Sequence, residues 1–583
     1  MIMCGIFALF LKNHNSKTEN FEEVVLENFN KGEPRGPENS VLEYFNKDKL
    51  YLGFHRLAIN GFGKDTSEQP LKIKDCVLIC NGEIYNWKEL HKLSNTLSIT
   101  GSDCEIIIHL YKEYGIEQTL QLLDGVFAFV LWDKITNKFF VARDTFGVRP
   151  LYVTKLASIG GCAENVYPSI SGFSSEIKNI YDTFKFIQEK QMKKIGAKTT
   201  YKNLYPITVE QYPPGNYSIL DSAGTILKSK SFSSCNSFIN STLNTGEKAK
   251  EVIRNTLISA VEKRVDNTDR EIACLLSGGL DSSLITSLVV KISREKFNRP
   301  ASKIHTWSVG MKGSEDLEYA QKVADFLGTT HHAIELSEDE FLEAIEPVIY
   351  AIESYDTTSV RASVGNWLIS KYIKKLSEAK VIFNGDGSDE LTGGYLYFHA
   401  APDALAFDEE CRRLLKDIHF FDVLRSDKSI SSHGLEPRTP FLDRTFVQTY
   451  LSIPAEIRCH NIDKKCEKYL LRSAFEPMKL LPEEVLWRTK EAFSDGVSKK
   501  KKSWFEVIQD FASELLNHDN KAEAENMYYK NIYSKYYDNI KAIPYKWMPK
   551  FVDATDASAR TLKIYSNVRK ENKLNVCGVA DVS

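Results

Sequence analysis

The sequence lacks the long apolar runs that a membrane protein needs. A membrane-spanning helix takes about 18 or more consecutive apolar residues, whereas the longest obvious run here covers residues 126–132. The first ten residues, MIMCGIFALF, contain no basic region and no small-residue cleavage site of the kind found in secretory signals. We therefore expect a cytoplasmic protein with no membrane partner.

An excess of charge of either sign is also lacking. The 583 residues include 75 Lys and Arg against 78 Asp and Glu, which gives a formal net charge of −3. Binding to nucleic acid through a large face needs clustered positive charge, so we expect no nucleic-acid partner. Hydrophobic residues at 43% and charged residues at 26% are ordinary values for a folded globular protein.

Cysteine is sparse and odd in number. Eleven cysteines are spread from Cys4 to Cys577. A disulfide framework uses a dense, even set of cysteines, so this distribution indicates reduced thiols in a cytosolic protein.

The chain divides into two parts of different pattern. In the first third, short β-branched or aromatic runs are bounded by turn residues, which predicts strands in a mixed α+β fold. These runs cover residues 50–54, 76–80, 126–132 and 138–142, and residues 101–114 have helical spacing instead. After residue 245, predicted strands at 271–276, 304–309 and 381–384 alternate with long helical stretches. Such alternation favours a parallel α/β sheet.

A polar stretch separates these two parts. Residues 231–246 are rich in Ser, Asn and Thr, which is the composition of a linker. The length alone allows up to about four domains. We predict two, residues 4–230 and residues 247–583, joined by a linker at 231–246.

A glycine-containing loop lies between a predicted strand and a predicted helix at residues 277–283, SGGLDSS. Glycine exposes backbone N–H groups, and the helix N-terminus adds positive potential, so the loop favours phosphate. It is neither a Walker A loop, since no Gly-Lys-Ser/Thr follows, nor a dinucleotide fingerprint, since the third glycine is missing. The alternative is a turn that serves packing alone. The run resembles the pyrophosphate loop of ATP pyrophosphatases.

An acidic cluster follows another predicted strand. Residues 384–390, NGDGSDE, place Asp386, Asp389 and Glu390 within five positions. These carboxylates repel one another unless positive charge offsets them, and the carboxyl ends of parallel strands are where α/β sheets bind ligands. An exposed acidic turn is the alternative.

Cys4 precedes an apolar run at the start of the chain. A cysteine in this setting is usually structural and buried. A cysteine that becomes the first residue of the mature chain can instead act as a nucleophile, because its own α-amine, with a pKa of about 7.7 to 8.0, accepts the thiol proton.

Further motifs follow Cys4 in a characteristic order. They are RGP (35–37), HRLAIN (55–60), NGEIYN (81–86), SDCE (102–105), DGVFA (124–128), RDTFGVR (143–149), EPRTPFLD (436–443) and KEAFSDG (490–496). Together with the loop at 277–283, they resemble glutamine-dependent asparagine synthetases from Cys4 to about residue 498. The resemblance implies an α+β N-terminal nucleophile (Ntn) amidohydrolase domain, with stacked antiparallel sheets between helices. An α/β parallel-sheet ATP pyrophosphatase domain is expected to follow it.

The same resemblance implies a ligase that converts aspartate to asparagine through β-aspartyl-AMP. Ammonia released from glutamine is expected to pass through an internal channel, and the products are AMP, pyrophosphate and glutamate. ATP is expected as a substrate, Mg²⁺ as a cofactor and a homodimer as the assembly.

For the glutaminase half, the resemblance assigns roles position by position. Cys4 is expected to attack the glutamine amide, with Asn81 and Gly82 as oxyanion-hole donors. Arg56 is expected to pair with the substrate α-carboxylate and Asp103 with its α-ammonium. The same pocket is expected to be lined by Leu57, Ala58, Ile59, Asn60 and Glu83.

For the synthetase half, the matching positions concern ATP and aspartate. Lys490 is expected to steady the phosphates, Asp386 to act in intermediate formation and amide synthesis, and Asp281 and Asp389 to hold Mg²⁺. Arg361 and Asp389 are candidates for contact with aspartate or phosphate. The expected ATP-binding residues are Leu275, Ser277, Gly278, Gly279, Asp281, Ser282, Ser283, Val309, Asn384 and Gly385.

Several alternatives stay open on the residues alone. Arg438 and Asp443 fit either a structural ion pair at the edge of the active site or a substrate contact. A relative that closes an amide ring, such as a β-lactam synthetase or peptide cyclase, has the same architecture but often lacks the nucleophile. A catalytically silent binding protein is the third alternative, and the intact loop and carboxylates argue against it.

The sequence departs from the family pattern in three places. Met1 and Ile2 precede the expected Met3-Cys4 start, so we predict that translation begins at Met3 or that the extension is removed. Asn384 and Asp386 replace the usual Ser and Glu, and the shorter Asp sets its carboxylate back by about 1 Å. Extra sequence at 156–171 and 184–202 is interpreted as surface insertions.

Overall fold

The structure is a computed structural model that describes residues 4–11, 20–61, 63, 65–156, 170–194, 206–234, 238–462, 465–491, 493–498, 502–538 and 540–565. Met1 and Ile2, residues 157–169 of the first expected insertion and residues 195–202 of the second lie outside the described residues. Residues 184–194 of the second expected insertion belong to a helix whose Phe184 and Ile187 are buried, so this part is not a surface insertion.

The first part of the chain forms two antiparallel six-stranded sheets. One sheet has the order β10-β8-β9-β1-β3-β2 and the other β12-β11-β7-β6-β5-β4. The strands are β1 (Gly5–Phe10), β2 (Asn39–Phe45), β3 (Leu50–Arg56), β4 (Leu71–Ile73), β5 (Cys76–Ile84), β6 (Gly125–Asp133), β7 (Lys138–Arg143), β8 (Tyr152–Leu156), β9 (Ile170–Ser174), β10 (Ile207–Gln211), β11 (Asn216–Leu220) and β12 (Ile226–Ser231).

The two sheets stack face to face because their strands are apolar on both sides. From β1, Ile6 and Phe10 point into the layer between the sheets, where they meet Val77 and Val130. Phe7 points outward, into a separate cluster formed with helices. The helices of this part are α1 (Phe21–Asn30), α2 (Trp87–Leu93), α3 (Ile106–Leu122) and α4 (Tyr181–Lys194).

These helices cover the outer faces, α1 and α4 on the first sheet and α2 and α3 on the second. The predicted arrangement of stacked antiparallel sheets between helices is therefore confirmed. The stacking places the end of β5, in the second sheet, beside the start of β1, in the first.

The second part is built on a parallel five-stranded sheet, as the alternation of strands and helices predicted. Its order is β15-β14-β13-β16-β17. The strands are β13 (Ile272–Leu275), β14 (His305–Met311), β15 (Thr330–Leu336), β16 (Val381–Phe383) and β17 (Glu436–Arg438). Both faces are covered: Ile272 and Cys274 pack into one apolar cluster, and Ala273 between them packs into another.

Helices surround this sheet. They are α5 (Gly246–Asp266), α6 (Leu280–Phe297), α7 (Glu315–Leu327), α8 (Glu338–Glu343), α9 (Ile345–Ile352), α10 (Thr357–Leu376), α11 (Ser388–Thr392), α12 (Ala404–Asp417), α13 (Asp422–Ser431), α14 (Arg444–Ser452), α15 (Ala455–Arg458), α16 (Tyr469–Phe475), α17 (Glu483–Leu486), α18 (Phe493–Gly496), α19 (Trp504–Leu516) and α20 (Lys521–Tyr536). None of the helices in the described ranges is long and apolar enough to cross a membrane.

Short 3₁₀ helices connect many of these elements. They cover Glu33–Arg35, Asp65–Ser67, Asp103–Glu105, Ala301–Lys303, Leu396–Ala400, Ile418–Phe420, Pro440–Leu442, Glu476–Met478 and Ala559–Thr561.

Buried ion pairs join the two parts. The Arg35 guanidinium lies 3.2 Å from Glu176 and 2.8 Å from Asp427 of α13. Arg149 also reaches the second part, at 3.3 Å from Asp427 and 3.2 Å from Glu436 of β17. All these side chains are at most 4% exposed. Removing one partner from such a pair leaves a charge in the interior, so the network specifies how the parts pack.

Candidate active sites

Cys4 stands directly before β1, next to the turn that follows β3. Its Sγ lies 3.4 Å from the carbonyl oxygen of Leu57 and 3.3 Å from the Leu57 nitrogen, which donates to it. Burial raises the pKa of the thiol strongly, and the negative charges of Glu83 and Glu436 raise it further. A thiol in this setting ionises only if a base takes its proton.

The expected oxyanion donors lie on β5. The Asn81 amide nitrogen lies 3.5 Å from Ser175 Oγ, which also accepts from the backbone N–H of Ile6, two residues beyond Cys4. Ser175 thus ties β5 to β1. At Gly82, an added Cβ would lie 2.4 Å from the Val126 carbonyl oxygen, so only glycine fits.

The expected glutamine-binding charges, Arg56 and Asp103, are both held by protein groups in the structure. Arg56 donates to the Gly61 carbonyl at 3.1 Å and to the Ser67 hydroxyl. Asp103 accepts from the Ile84 backbone N–H at 2.6 Å. Burial raises the pKa of the Asp103 carboxyl to about 7, in spite of this hydrogen bond.

Glu83 links this pocket to the second part of the chain. Its Oε2 accepts from the amides of Asn60 at 2.7 Å and Asn267 at 2.8 Å, and it lies 3.3 Å from Arg438 Nη2. Burial raises the pKa of Glu83, and Asp103 adds repulsion. Leu57, Ala58 and Ile59, expected beside it, are all buried.

A cavity of about 170 Å³ lies at the carboxyl ends of β13, β14 and β16. The acidic cluster and the glycine loop meet there, as the parallel topology requires. The cavity includes most of the residues expected to bind ATP and aspartate: Leu275, Ser277, Gly279, Asp281, Ser282, Val309, Asn384, Gly385, Asp386, Asp389 and Lys490.

Two expected ATP-binding residues lie outside this lining. Gly278 has φ +72°, and a Cβ there would lie 2.5 Å from the Ala320 nitrogen of α7. This glycine therefore serves close packing of the loop on a helix. Ser283 is fully buried, and its hydroxyl has no hydrogen-bond partner among the described residues.

Arg361 is held by protein carboxylates in the structure. Its guanidinium is buried in α10 and pairs with Glu525 of α20 at 2.5 Å and with Asp556 at 2.7 Å. These two carboxylates come from a part of the chain with no interpretable motif, and the contact of Arg361 with aspartate or phosphate stays a prediction. The neighbouring Thr358 and Ala362 line the cavity instead.

Two carboxylates and two lysines face one another in the cavity. Lys468 Nζ lies 2.6 Å from Asp281 Oδ2 and 2.5 Å from Asp389 Oδ1. Lys490 Nζ lies 2.6 Å from Asp389 Oδ2 and 3.6 Å from Asp281. Burial alone would raise the pKa of Asp389, but both ammonium groups outweigh it and hold that pKa well below its usual range.

Beside this cluster, Asp386 contacts a residue that the sequence did not mark. Its Oδ1 lies 3.1 Å from Arg425 Nη2, while the other oxygen is buried with no hydrogen-bond partner in the described structure. Arg425 also pairs with Asp422, which accepts from the Gly387 N–H at 3.0 Å. Asn384 donates to the Ser426 hydroxyl at 2.8 Å.

Arg438 and Asp443 each make buried structural ion pairs, with different partners. Arg438 pairs with Glu436 at 2.8 Å, besides its contact with Glu83. Asp443 lies 2.7 Å from Arg264 and caps α14. Neither residue lines the cavity described above.

Comparison with known proteins accounts for both sites. A family model described as a glutamine amidotransferase domain matches residues 3–232, and one described as asparagine synthase matches residues 252–407 and 401–557. An asparagine synthetase (glutamine-hydrolyzing) from Gallus gallus is 40% identical over 98% of this chain and 100% of its own length. The chain belongs to the glutamine-hydrolysing asparagine synthetase family. Relatives of the same name from Cricetulus griseus and Homo sapiens are 39% and 38% identical, over 97% of this chain and 100% of theirs.

These full-length likenesses favour an asparagine synthetase over the ring-forming and the silent alternatives. The family also explains why Cys4, Asn81 and Asp103 are all kept within one half of the chain. The glutaminase half and the ATP-using half meet across the ion pairs described above.

The sequence interpretation did not mark several charged residues of the asparagine synthetase cavity, among them three that contact the acidic cluster at 384–390 directly. Lys468, Asp422 and Arg425 all line the cavity. No local motif marks them, since Lys468 meets Asp281 across 187 residues of sequence and Arg425 meets Asp386 across 39. The only available signal was the excess of carboxylates at 384–390, which required positive charge from elsewhere.

Asp281 and Asp389 are the residues of this cavity that would hold Mg²⁺. The two carboxylates share two ammonium groups, those of Lys468 and Lys490, so the pair already faces positive charge. Mg²⁺ is commonly held by one or two carboxylates together with substrate phosphates. Among the described residues, no cluster of three or more His, Cys, Asp or Glu forms a metal site from protein groups alone.

Proposed function

We propose that this protein makes L-asparagine from L-aspartate, L-glutamine and ATP, with AMP, pyrophosphate and L-glutamate as products. The observation that carries the proposal is the conjunction, in one chain, of a buried cysteine pocket and a phosphate-loop cavity with paired carboxylates and lysines. A chain with only one of these sites would perform only half of the reaction.

In the first half, the Cys4 thiolate attacks the side-chain amide carbon of glutamine. Because burial keeps the thiol protonated, the α-amine of a mature N-terminal Cys4 takes its proton and later delivers it to the leaving ammonia. Water then resolves the thioester to glutamate. The Leu57 N–H, 3.3 Å from Sγ, fixes where the sulfur lies before attack.

The oxyanion that develops on the amide carbon needs donors placed in advance. Asn81 supplies its side-chain amide and Gly82 its backbone N–H, both on the same strand. The close approach of Gly82 to Val126 holds that backbone in place.

Arg56 and Asp103 hold the two charged groups of the glutamine backbone. In the structure Arg56 donates to a carbonyl and a hydroxyl, and Asp103 accepts from a backbone N–H. Hydrogen bonds to the charged α-carboxylate and α-ammonium of glutamine are stronger than these bonds to neutral groups.

In the second half, the aspartate β-carboxylate attacks the α-phosphorus of ATP and gives β-aspartyl-AMP and pyrophosphate. Lys468 and Lys490 neutralise phosphate charge, and the loop residues Ser277 and Gly279 cradle it. Asp281 and Asp389 would hold Mg²⁺, which when bound would offset the charge of the leaving pyrophosphate.

Asp386 and Arg425 act on the aspartyl side of the cavity. The Asp386 oxygen without a hydrogen-bond partner remains available to a substrate amine or to incoming ammonia. The Arg425 contact at 3.1 Å holds the carboxylate in that orientation. Asp386, which is shorter than the usual Glu, therefore depends on Arg425 to keep its carboxylate in place.

Ammonia passes between the two sites inside the protein through a channel. The contact between Arg438 and Glu83 joins the glutamine pocket directly to the end of a strand of the synthetase sheet. We also propose the division into residues 4–230, a linker at 231–246 and residues 247–583, together with a homodimeric assembly and a cytoplasmic location.

The test is an assay of the purified protein with aspartate, ATP, Mg²⁺ and glutamine, in which asparagine, AMP and glutamate are measured together. The three products are expected in equal amounts. Formation of ADP in place of AMP would reject adenylation, and AMP without asparagine would favour a ring-forming relative. Omitting aspartate is the control for glutaminase activity alone.

A further inference from the structure

Residues 556–565, which we call the C-terminal strap, lie against the loop that carries Lys490. Arg560 Nε donates to Glu491 Oε1 at 2.7 Å, and the Tyr565 hydroxyl donates to Glu491 Oε2 at 2.8 Å. Both carboxylate oxygens of Glu491, the residue that follows Lys490, are therefore engaged by the strap. Glu491 itself lines the synthetase cavity.

A second contact holds the same loop a few residues further on. The Ser558 hydroxyl lies 3.1 and 2.9 Å from the two oxygens of Asp495, which is buried. Arg560 also reaches the Ser498 hydroxyl, at 3.4 Å. The strap thus contacts Glu491, Asp495 and Ser498 of one segment.

The Arg560 guanidinium offsets the negative charges of Glu491 and Asp495. Burial and the nearby Glu491 together raise the pKa of Asp495 to about 6, although Arg560 opposes both. Without the guanidinium, two carboxylates on one short loop would repel each other in a buried setting.

The other end of the strap is anchored in the synthetase core. Asp556 accepts from Arg361 at 2.7 and 2.9 Å, and Glu525 of α20 binds the same guanidinium. Arg361 lies on α10, between Thr358 and Ala362 of the cavity lining. The strap therefore links α10, a helix of the cavity wall, to the loop that carries Lys490.

Lys490 receives its position from this loop. Its backbone N–H donates to Glu467 at 2.8 Å, and its Nζ lies 2.6 Å from Asp389. A shift of Glu491 would move the adjoining lysine, and misplacement by about 1 Å of a group that acts on the reacting atoms costs up to about 100-fold in rate.

We propose that the C-terminal strap positions Lys490 for the synthetase reaction, with Arg560 and Tyr565 as positioning residues that act through Glu491. The inference rests on the phosphate-binding role proposed above for Lys490. It assigns no part to the strap in glutamine hydrolysis, because the contacts of the strap described above are all with the synthetase half.

The test uses full-length variants and excess ammonium, so that asparagine synthesis does not depend on glutaminase. For Arg560→Ala we expect kcat for synthesis to fall about 10- to 100-fold with little change in KM for ATP, since the lost interaction acts in the transition state. Arg560→Lys keeps the charge and should recover most of that loss. Tyr565→Phe should lower kcat several-fold, as a single hydrogen bond of about 1 kcal/mol would.

Tyr545→Phe is the matched control. Its hydroxyl contacts Asp417 at 2.7 Å and Arg413 at 2.6 Å, also near the C-terminus but away from the Lys490 loop. We expect its synthesis rate to stay within about twofold of the parent, and glutaminase activity to stay within about twofold in every variant. Equal losses in Tyr545→Phe and Tyr565→Phe, or parallel losses of both activities in Arg560→Ala, would overturn the proposal.

A double variant separates the strap from the role of Lys490. If Arg560 acts through Lys490, Lys490→Ala combined with Arg560→Ala should lose no more activity than Lys490→Ala alone. Additive losses would contradict the positioning role. If Lys490→Ala retains full synthesis, the phosphate-binding role itself fails, and the proposal about the strap fails with it. If Lys490→Ala is inactive while Arg560→Ala is unchanged, the strap proposal alone fails.

Discussion

Arg438, the last residue of β17 in the synthetase sheet, lies 3.3 Å from the Glu83 carboxylate of the glutaminase pocket. Both side chains are buried, and Glu83 also binds Asn60 and Asn267 through the same oxygen. Charged side chains of the two halves of the enzyme therefore contact each other directly between the two sites.

Arg438→Ala would remove the buried counter-ion of Glu83, whereas Glu436 would keep its pair with Arg149. We expect the free energy of unfolding to fall by about 3–5 kcal/mol, the usual cost of breaking a buried pair. Urea unfolding followed by fluorescence measures this. Lys535→Ala, which breaks an exposed pair with Glu346, is the control and should cost less than about 1 kcal/mol. Equal costs in the two variants would contradict a structural role for Arg438.

We expect glutamine hydrolysis to require Cys4 as the first residue of the chain. Because desolvation raises the pKa of its partly buried thiol, Cys4 needs the free α-amine as base, and a chain that keeps Met1, Ile2 and Met3 has no free amine there. We expect a preparation that retains these residues to lose at least about 100-fold in glutaminase activity, while synthesis from ammonium is unchanged.

Intact-mass measurement identifies which form is present, and the two forms should be assayed side by side. Cys4→Ala is the matched control, with no glutaminase activity and full ammonium-dependent synthesis. Normal glutamine hydrolysis by a chain of the full mass would refute the role of the α-amine.

Asp386 is expected to serve asparagine formation alone. Asp386→Ala should abolish asparagine synthesis from either nitrogen source, because Arg425 loses the partner that it holds at 3.1 Å. Glutaminase activity should survive, since the Cys4 pocket lies in the other half of the chain. The measurement is asparagine and glutamate from the same reaction, and unchanged asparagine synthesis would reject the assignment.

Glutamine binding is expected to depend on pH through Asp103. Burial raises the pKa of this carboxyl to about 7, so below that pH it is protonated and cannot pair with the substrate α-ammonium. In Cys4→Ala, which cannot hydrolyse glutamine, the Kd should fall about tenfold per unit as pH rises toward 7 and then level off. Calorimetric titration from pH 5.5 to 8.5 measures it.

The matched variant for this titration is Asp103→Asn, which cannot ionise. It should bind glutamine weakly at every pH and show no such dependence. A Kd that stays constant between pH 5.5 and 7 in the Cys4→Ala protein would show that Asp103 is already charged there.

Local pattern predicted most of the secondary structure. Residues 138–142 and 126–132 became β7 and β6, since a strand between two covered faces is a continuous apolar run. The helix predicted after the glycine loop became α6, Leu280–Phe297. The strand and helix alternation also predicted the parallel sheet.

The cavity was predicted only in part. Asp281 and Asp389 lie where the topology of parallel strands places them, at the carboxyl ends of β13 and β16. Arg361 was assigned to the substrate because its partners, Glu525 and Asp556, lie 164 and 195 residues away. A charged side chain in a sequence does not reveal which opposite charge it will meet.

The sequence by itself determined the two chemistries of this protein, because each depends on residue types within a short segment. Cys4 and the loop at 277–283 are recognisable without any knowledge of the fold. Tertiary structure alone decided which charges face one another. Lys468 meets Asp281 across 187 residues and Arg438 meets Glu83 across 355. Such pairs form only when folding buries both groups together, where the low dielectric makes an unpaired charge costly.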